Sequence, residues 1–239
     1  MTSKTRGNDL PDFLEDSRLA LITSLKSEGI LKSKIIEEAL LRIPREEFLP
    51  EDTPKSLAYI DEPVALGTTG QTISAPHMIV IMLEELDLKP DLRVLEVGAG
   101  SGYNAALLSY VVSRGSSARS PLVVTVERNP DLVKLARKNL EQVGLSSVCQ
   151  VVQGDGSLGY PQESKEELYD RIIVTAGAPR VPVFLKKQLK VGGIMAVPVG
   201  GSYQKLTILK KKSNDDFDQR RTVDCVFVPL IGTDAHSHC

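Results

Sequence analysis

The sequence lacks the residue patterns of several large protein classes. It contains no tryptophan, and aromatic residues make up only 5% of its 239 residues. Its three cysteines, Cys149, Cys225 and Cys239, are odd in number, widely spaced and free of any C-x-x-C pattern. This arrangement encodes neither a disulfide framework nor a zinc site, so we expect a protein of a reducing compartment without a metal centre.

A long apolar run and a strong net charge are also absent. No stretch approaches the roughly 18 apolar residues that a membrane-spanning helix needs, and the first ten residues contain no apolar signal core. Lysine and arginine total 29 against 31 acidic residues, so the formal charge is −2. Such a balance supplies no broad cationic field for nucleic acid. We therefore predict a cytoplasmic protein that binds neither membranes nor long nucleic acids.

What the sequence does contain is the composition of a globular protein, with 41% hydrophobic and 25% charged residues. We predict a single domain over residues 1–239, in which a helical segment at 1–60 precedes an α/β core at 61–239. Helical spacing of apolar residues predicts the first two helices at 11–28 and 35–43.

The boundaries of these helices are marked by local signals. Ser33 precedes the second helix as a predicted cap, and Pro44 ends it. Prolines and glycines then crowd residues 44–70, which predicts a long connection with little regular structure. Connections of this length are often functional.

From residue 76 onwards, short apolar strands alternate with helices, which is typical of a parallel sheet covered on both faces. We predict a doubly wound α/β fold with a mostly parallel sheet. The predicted strands lie at 93–97, 122–126, 148–152, 171–175 and 194–197, and the predicted helices at 76–87, 104–112, 130–144 and 183–189. Gly192 and Gly193 are predicted to close the last helix before its strand.

The C-terminal part predicts an antiparallel hairpin. Its strands at 206–209 and 223–228 flank a charged stretch, KKKSNDDFDQRR, which we expect to be a solvated loop.

The strongest chemical signal is a glycine turn between a strand and a helix, Glu96-Val97-Gly98-Ala99-Gly100-Ser101-Gly102. Glycines at every second position let the backbone turn sharply and approach a ligand closely. A dinucleotide fingerprint would require a third glycine at Tyr103. Glu96, expected at the mouth of the turn, would repel a pyrophosphate and attract a cationic amino group. The pattern resembles the first motif of Rossmann-like S-adenosylmethionine-dependent methyltransferases, against the alternative of a purely structural turn.

Two further acids follow the next strands. Glu127 ends the second strand, where its carboxylate can accept hydrogen bonds from both ribose hydroxyls; helix capping, its alternative role, is already filled by Asn129. Asp155, followed by Gly156, can accept a hydrogen bond from an adenine amino group, although alone it would be an ordinary Asx turn. Because these loops all follow carboxyl ends of parallel strands, we expect them to converge on one crevice.

Other reactive side chains are given structural roles. Strand four runs into Thr175-Ala176-Gly177-Ala178-Pro179, which lacks the Asn or Asp before Pro-Pro-aromatic of methyltransferases that act on base amines. Cys149 lies among valines and is predicted to fill the core rather than act as a nucleophile. His77, in the first turn of an apolar helix, is predicted to be packed and hydrogen-bonded.

The runs GQTISAPHM, VLEVGAGSGYNAALL, GDGSLGY and VGGIMAVPVG resemble the protein-L-isoaspartate O-methyltransferase family, and the resemblance covers about residues 10–232. It implies methyl transfer from S-adenosylmethionine to the carboxylate of L-isoaspartyl residues in damaged proteins, which initiates their repair to aspartyl. It also implies that Ser74 is the active-site residue and that Gln71, Thr72, Ile73 and Ser74 touch the cofactor and substrate.

Three alternatives remain open at this stage. Ser74 could merely cap the helix that begins at Ala75-Pro76. The protein could be a methyltransferase of the same fold that acts on a small molecule or RNA. It could also be a silent nucleoside-binding module. Nothing in the sequence predicts the oligomeric state.

The chain departs from the family pattern in two places. The loop SRGSSARS at 113–120 is longer and more basic than expected, and the end, GTDAHSHC, does not match the usual finish. The role of residues 231–239 is therefore doubtful, and a metal-binding role for His236, His238 and Cys239 is not expected.

Overall fold

The computed structural model describes residues 9–117 and 121–237. Two helices open the described chain, α1 at Asp9–Ser27 and α2 at Lys34–Arg42. Both confirm the helical spacing of the sequence. Leu25 of α1 and Ile36 of α2 are each 1% exposed and belong to the main hydrophobic core.

The predicted cap of α2 has a different role. Ser33 occupies the N-cap position, but its hydroxyl does not bond the helix backbone. It donates instead to Glu84 Oε2 at 2.6 Å, and the Ser33 backbone N–H donates to Glu84 Oε1 at 2.7 Å. The serine therefore joins the N-terminal segment to a later helix rather than completing its own.

The predicted irregular connection at 44–70 contains short regular pieces. Two 3-10 helices lie at Arg45–Phe48 and Lys55–Tyr59, followed by strand β1 at Val64–Ala65. Strand β1 pairs in antiparallel fashion with β2 at Thr72–Ile73. This small pair holds the loop that precedes the next helix.

A seven-stranded sheet forms the centre of the molecule, in the order β5-β4-β3-β6-β7-β8-β9. Strands β3 to β7 are parallel, whereas β8 and β9 run antiparallel, which confirms the predicted fold class. The strands are β3 Val94–Val97, β4 Val123–Glu127, β5 Cys149–Gln153, β6 Tyr169–Val174, β7 Leu189–Gly200, β8 Gln204–Lys211 and β9 Phe217–Cys225. The helices are α3 Pro76–Glu85, α4 Tyr103–Ser113, α5 Pro130–Gln142 and α6 Val183–Gln188.

The sheet order places a topological switch beside β3. The chain runs outward from β3 through β4 to β5 and then returns to the other side of β3 with β6. Loops that follow β3 and β6 therefore diverge, and the crevice that opens at their carboxyl ends is where such sheets bind ligands.

Two boundaries predicted at the C-terminal end are wrong. Gly192 and Gly193 lie inside β7 instead of ending a helix. A Cβ on Gly193 would lie 2.8 Å from the Lys190 carbonyl and 3.0 Å from the Asp170 carbonyl, where the register of β6 and β7 shifts. The glycine is thus required by backbone crowding in the sheet.

The charged stretch at 210–221 was expected to be a loop, but most of it is strand. β8 extends to Lys211 and β9 begins at Phe217, so only residues 212–216 form the turn. Lys211 is only 3% exposed and donates to the Leu189 carbonyl at 2.8 Å. The two predicted strands of the hairpin therefore extend into the charged stretch, and the expected loop is much shorter.

Hydrophobic residues cover both faces of the sheet. On one face, Val94 and Ile173 pack in the cluster that includes α1 to α5. On the other, Leu95 and Val174 pack with Leu185 of α6. Within residues 9–117 and 121–237, no helix is long and apolar enough to cross a membrane.

Candidate functional site

The glycine turn between β3 and α4 forms the floor of the site. Gly98, Gly100 and Gly102 have φ angles of 98°, 54° and 88°, a region that other residues rarely adopt. A Cβ on Gly98 would collide with the Thr175 hydroxyl, and one on Gly102 would lie 3.2 Å from Ala136 Cα. The turn therefore needs glycine both for its conformation and for its close packing.

A crevice of about 550 Å³ opens above this turn. It lies at the carboxyl ends of β3, β4 and β6, as the sheet order requires. Its lining residues are Gln71, Thr72, Val97, Gly98, Gly100, Val126, Glu127, Arg128, Asn129, Pro130, Asp131, Gly156, Thr175, Ala176, Val228, Pro229, Leu230 and Ile231. A volume of this size suits a nucleoside-sized ligand.

A smaller hollow of about 40 Å³, here called the inner recess, adjoins the crevice. Both are lined by Thr72, Gly98, Gly100 and Thr175, so they meet along the glycine turn. The recess is otherwise lined by Ile73, Ser74, Ile79, Met82, Ala99, Ser101, Tyr103 and Asn104. The structure therefore brings Gln71, Thr72, Ile73 and Ser74 to the glycine turn, although they precede it in sequence by more than a helix.

Glu127 faces the crevice, as its position at the end of β4 predicts. Its Oε2 accepts from the Gly100 N–H at 3.1 Å and its Oε1 from the Asn129 N–H at 2.9 Å. Asn129 itself caps α5, because its side chain accepts from the Asp131 N–H at 2.9 Å. Glu127 is therefore not needed as a helix cap and presents its carboxylate to the crevice.

Asp155 takes part in the site through its neighbours. Its Oδ1 accepts from the Ser157 hydroxyl at 2.6 Å, and its Oδ2 accepts from the Thr233 N–H at 2.7 Å. Burial would raise the pKa of Asp155, but hydrogen bonds from Ser157 and Thr233 outweigh it and leave the pKa below its usual range. Gly156 lines the crevice, whereas Asp155 lies beside it and ties the C-terminal segment to this loop.

Glu96 was expected at the mouth of the turn, but the structure buries it. It is 0% exposed, and its carboxylate accepts from Asn104 Nδ2 at 2.7 Å and from the Thr125 hydroxyl at 2.5 Å. Burial raises the pKa of Glu96 and the charge of Glu127 also raises it, whereas the hydrogen bonds from Thr125 and Asn104 lower it. The net result is a pKa of about 7. Glu96 therefore supports the glycine turn from beneath and has no direct opening to a ligand's amino group.

The Ser74 side chain does not cap the helix that follows it. The N-cap of α3 is Ala75, and no side chain of the described residues bonds the helix N-terminus from that position. The Ser74 hydroxyl has no hydrogen-bond partner in the described part of the chain, while its backbone carbonyl accepts from Arg45 Nη2 at 2.9 Å. The hydroxyl is thus unengaged beside the inner recess.

The α3 N-terminus is capped by a residue that the sequence reasoning missed. Asp61 Oδ1 accepts from the His77 N–H at 2.8 Å and lies 2.9 Å from His77 Nδ1. The His77 side chain is 41% exposed, so the prediction of a hydrogen bond is confirmed and that of a packed ring is wrong. No local signal could have revealed Asp61, because it lies on a separate loop.

The C-terminal segment borders the crevice. Residues 228–231 line the crevice, and the Leu230 N–H donates to the Gly177 carbonyl at 2.8 Å. Asp234 holds this segment by accepting from Arg180 Nη2 at 2.5 Å. Of the segment whose role the sequence left open, Ile231 borders the crevice, whereas His238 and Cys239 lie outside the described residues.

Cys149 and the possible metal ligands of the described residues lie apart from any reactive cluster. Cys149 is 4% exposed within β5, and burial raises the pKa of its thiol to about 12, as expected for a core residue. Among residues 9–117 and 121–237, no three His, Cys, Asp or Glu side chains are grouped as metal ligands. Residues 118–120 of the basic loop lie outside the described residues.

Comparisons with known proteins agree with this geometry. A family model described as Protein-L-isoaspartate(D-aspartate) O-methyltransferase matches residues 16–235. The protein-L-isoaspartate O-methyltransferase of Staphylothermus marinus is 47% identical over 219 residues, which cover 91% of this chain and 95% of that protein. The enzyme of the same name from Methanopyrus kandleri is 48% identical over 217 residues, which cover 90% and 92%.

Solved structures show the same relationship. One named protein-L-isoaspartate O-methyltransferase has a TM-score of 0.78 at 34% identity and covers 91% of this chain and 67% of that one. A Plasmodium falciparum protein described as a protein-L-isoaspartate O-methyltransferase was solved in complex with S-adenosyl-L-homocysteine. Its TM-score is also 0.78, at 28% identity, with 89% of this chain and 97% of that one covered.

Proposed function

The chain belongs to the protein-L-isoaspartate O-methyltransferase family, and from this membership we propose how its crevice carries out the reaction. The enzyme transfers a methyl group from S-adenosylmethionine to the carboxylate of an L-isoaspartyl residue in a damaged protein. The methyl ester then closes to a succinimide, as the following backbone nitrogen displaces methanol, and hydrolysis by water can reopen the ring as normal aspartate. The observation that carries the assignment of the site is the convergence of the glycine turn, Glu127 and the Ser74 loop on one crevice.

The residues of the crevice fit S-adenosylmethionine. Glu127 lines the crevice and is 9% exposed, and because each of its oxygens accepts only one backbone N–H among the described residues, the carboxylate keeps acceptor capacity for the ribose hydroxyls. Gly98, Gly100 and Gly156 line a backbone surface on which side chains would obstruct the ligand. When bound there, the cofactor supplies an electrophilic methyl group on a sulfonium.

The adenine end of the ligand is expected near Gly156 and the C-terminal segment. Pro229, Leu230 and Ile231 supply an apolar wall to the crevice, on which the flat base can lie. Asp155 holds this wall in place through the Thr233 N–H. We therefore assign Asp155 to the adenine end as a supporting residue, and a direct bond to the adenine amino group stays a prediction.

The acceptor carboxylate needs positioning rather than a base. A carboxyl group with a pKa of about 4 is already ionised at pH 7, so it can attack without first losing a proton. The free hydroxyl of Ser74 at the inner recess can donate to one carboxylate oxygen and direct the other towards the methyl group. Thr72 is exposed and lines both the crevice and the recess, so its hydroxyl supplies a second hydrogen-bond donor to the acceptor carboxylate.

Exclusion of water favours this reaction, because a cationic sulfonium and an anionic carboxylate become two less charged products. The apolar side chains of Ile73 and Leu230 lie at the two sides of the site, and both are buried.

We propose that the whole chain acts as one domain, since Leu25 of the helical segment shares a core cluster with Val94 of the sheet.

The experiment that tests this function uses labelled S-adenosylmethionine and two peptides that differ only in an aspartyl or isoaspartyl linkage. We expect base-labile label in the isoaspartyl peptide and none in the aspartyl control. Methylation of RNA or of a small molecule in place of the peptide would support a different acceptor. Binding of S-adenosylhomocysteine without any methyl transfer would support the silent binding module.

A further inference from the structure

The side chain of Arg45 is the most unusual buried group outside the residues assigned so far. It lies in the 3-10 helix after α2, is only 1% exposed and is the largest fully buried side chain of the described residues. Within residues 9–117 and 121–237, its guanidinium makes a single hydrogen bond, from Nη2 to the Ser74 carbonyl at 2.9 Å. The Nε and Nη1 atoms are buried without a partner in the described part of the chain.

Among the described residues Arg45 forms no ion pair, although the carboxylate of Asp61 interacts with its charge at longer range. The neighbouring carboxylate, Glu46, is directed elsewhere, because it accepts from Arg18 Nη2 at 2.9 Å and from the Tyr59 hydroxyl. The Arg45 guanidinium instead lies over the ring of Tyr103, 5.1 Å from its centroid. Burial lowers the pKa of Arg45, yet an arginine remains protonated in proteins. An unpaired buried charge of this kind is strongly destabilising and calls for a functional reason.

Both residues that Arg45 contacts belong to the inner recess. Ser74 and Tyr103 line it, whereas Arg45 itself lies behind them and is not exposed in it. The hydrogen bond holds the Ser74 carbonyl oxygen towards the protein interior, so this oxygen is turned away from an incoming anion. The charge acts across a dry layer in which electrostatic interactions are weakly screened.

We propose that Arg45 is a positioning residue that makes the Ser74 end of the site selective for an ionised carboxylate. It fixes the Ser74 backbone and places a positive charge, which no ion pair within the described residues neutralises, behind the loop that receives the acceptor. This inference rests on the proposed function and extends it from the presence of a carboxylate to the origin of the preference for one. A neutral carboxamide of the same shape gains nothing from that charge.

The test compares two peptides, one with the isoaspartyl carboxylate and one with a carboxamide in its place. Their binding to the enzyme is measured by calorimetry at saturating S-adenosylhomocysteine, so that the cofactor site is equally filled throughout. Arg45→Gln removes the charge but keeps an amide donor for the Ser74 carbonyl. We expect it to reduce the carboxylate-to-carboxamide affinity ratio about tenfold, mostly by weakening binding of the carboxylate peptide.

Two further variants separate charge from structure. Arg45→Met removes both the charge and the donor while filling a similar volume, so it should lower the affinity ratio at least as far as Arg45→Gln. Arg171→Gln is the matched control, because Arg171 is also buried, at 7% exposure, and bonds carbonyls near the opposite end of the sheet. It should lower stability without changing the ratio. If Arg45→Gln fails to fold, Arg45→Met provides the same test, since a wild-type affinity ratio in that variant contradicts the proposal.

The proposal is overturned if Arg45→Gln keeps the wild-type ratio or if Arg171→Gln loses the preference equally. It is also overturned if the wild-type enzyme methylates the isoaspartyl peptide yet binds the carboxamide peptide equally well. A wild-type protein that methylates no isoaspartyl peptide at all would refute the proposed function instead. The two failures are therefore distinguishable.

Discussion

The carboxylate of Glu127 accepts a hydrogen bond from the backbone N–H of Gly100 at 3.1 Å, which joins the end of β4 to the glycine turn after β3. This bond sets the distance between the two loops that border the crevice. Because each Glu127 oxygen receives one backbone donor, each retains a lone pair for a ligand. The same residue therefore shapes the turn and faces the cofactor.

Glu127→Ala should weaken S-adenosylmethionine binding by roughly 10- to 150-fold, because a charged hydrogen-bond acceptor contributes about 1.5–3 kcal/mol. Glu127→Gln keeps the shape and loses the charge, so its affinity should lie between those of the wild type and the alanine variant. Isothermal titration calorimetry provides the measurement. An alanine variant with wild-type affinity would remove Glu127 from the ribose site.

Asp155→Ala should lower the affinity for S-adenosylhomocysteine and for adenosine alike, because its effect lies at the adenine end. Asp234→Ala is a matched comparison, since Asp234 holds the same C-terminal segment through Arg180. Similar losses in both variants would show that Asp155 acts through the segment. A much larger loss for Asp155→Ala would indicate a direct bond to adenine, and an effect on S-adenosylhomocysteine alone would contradict the assignment.

Ser74→Ala should reduce turnover on an isoaspartyl peptide by something like 10- to 1000-fold, because a misoriented carboxylate loses its in-line approach. Cofactor affinity should fall only modestly. Stability should change by less than about 0.5 kcal/mol, since the hydroxyl has no bond to lose.

Single-turnover rates measured well below the melting temperature test this change. Ser33→Ala is its control, because the Ser33 hydroxyl bonds Glu84 at 2.6 Å far from the crevice. That variant should lose stability and keep its rate. Wild-type turnover in Ser74→Ala would shift attention to Thr72 as the donor to the carboxylate.

Shortening residues 212–216 to a two-residue turn should leave activity unchanged, because this is the only part of the charged stretch that lies outside β8 and β9. Lys211→Ala should instead destabilise the protein by about 1–3 kcal/mol, since the Leu189 carbonyl loses its donor. Denaturant unfolding and peptide methylation are the measurements. Loss of activity in a folded turn variant would identify a substrate-binding element.

Glu96 should make stability depend on pH. Burial raises its pKa to about 7, above the value of 4.5 for a free carboxyl, so the folded state holds the proton more tightly. Its contribution to stability is fully present below the unfolded-state pKa and is lost as the pH rises to about 7. The free energy of unfolding of Glu96→Gln, relative to that of the wild type, should therefore rise by about 2–3 kcal/mol between pH 5 and pH 8.

Urea unfolding of both proteins across this pH range is the measurement. Thr125→Val provides a directional control, because the Thr125 hydroxyl bond lowers the Glu96 pKa and its removal should move the pH transition upwards. Parallel stability curves for wild type and Glu96→Gln would show that Glu96 is ionised throughout.

Much of the site was predictable because its signals are local. Alternating apolar strands and helices identified the fold, the glycine spacing identified the turn, and Asn129-Pro130 identified the start of α5. Glu127 was found because a parallel strand must present the residue at its carboxyl end to the crevice. In each case, backbone conformation and side-chain period are determined by residues close together in sequence.

Only the tertiary structure decided which side chains meet across the chain. Arg45 lies beneath Ser74 at a separation of 29 residues, and Thr233 bonds Asp155 at a separation of 78. Glu96 lies within the apolar strand β3, yet its buried carboxylate is held by a hydrogen bond from Thr125 on the neighbouring strand. The sequence by itself determined the elements and the acids at their ends. Folding decided which side chains are buried, which charges are paired and which segments close the crevice, because these properties depend on contacts between segments that no local pattern encodes.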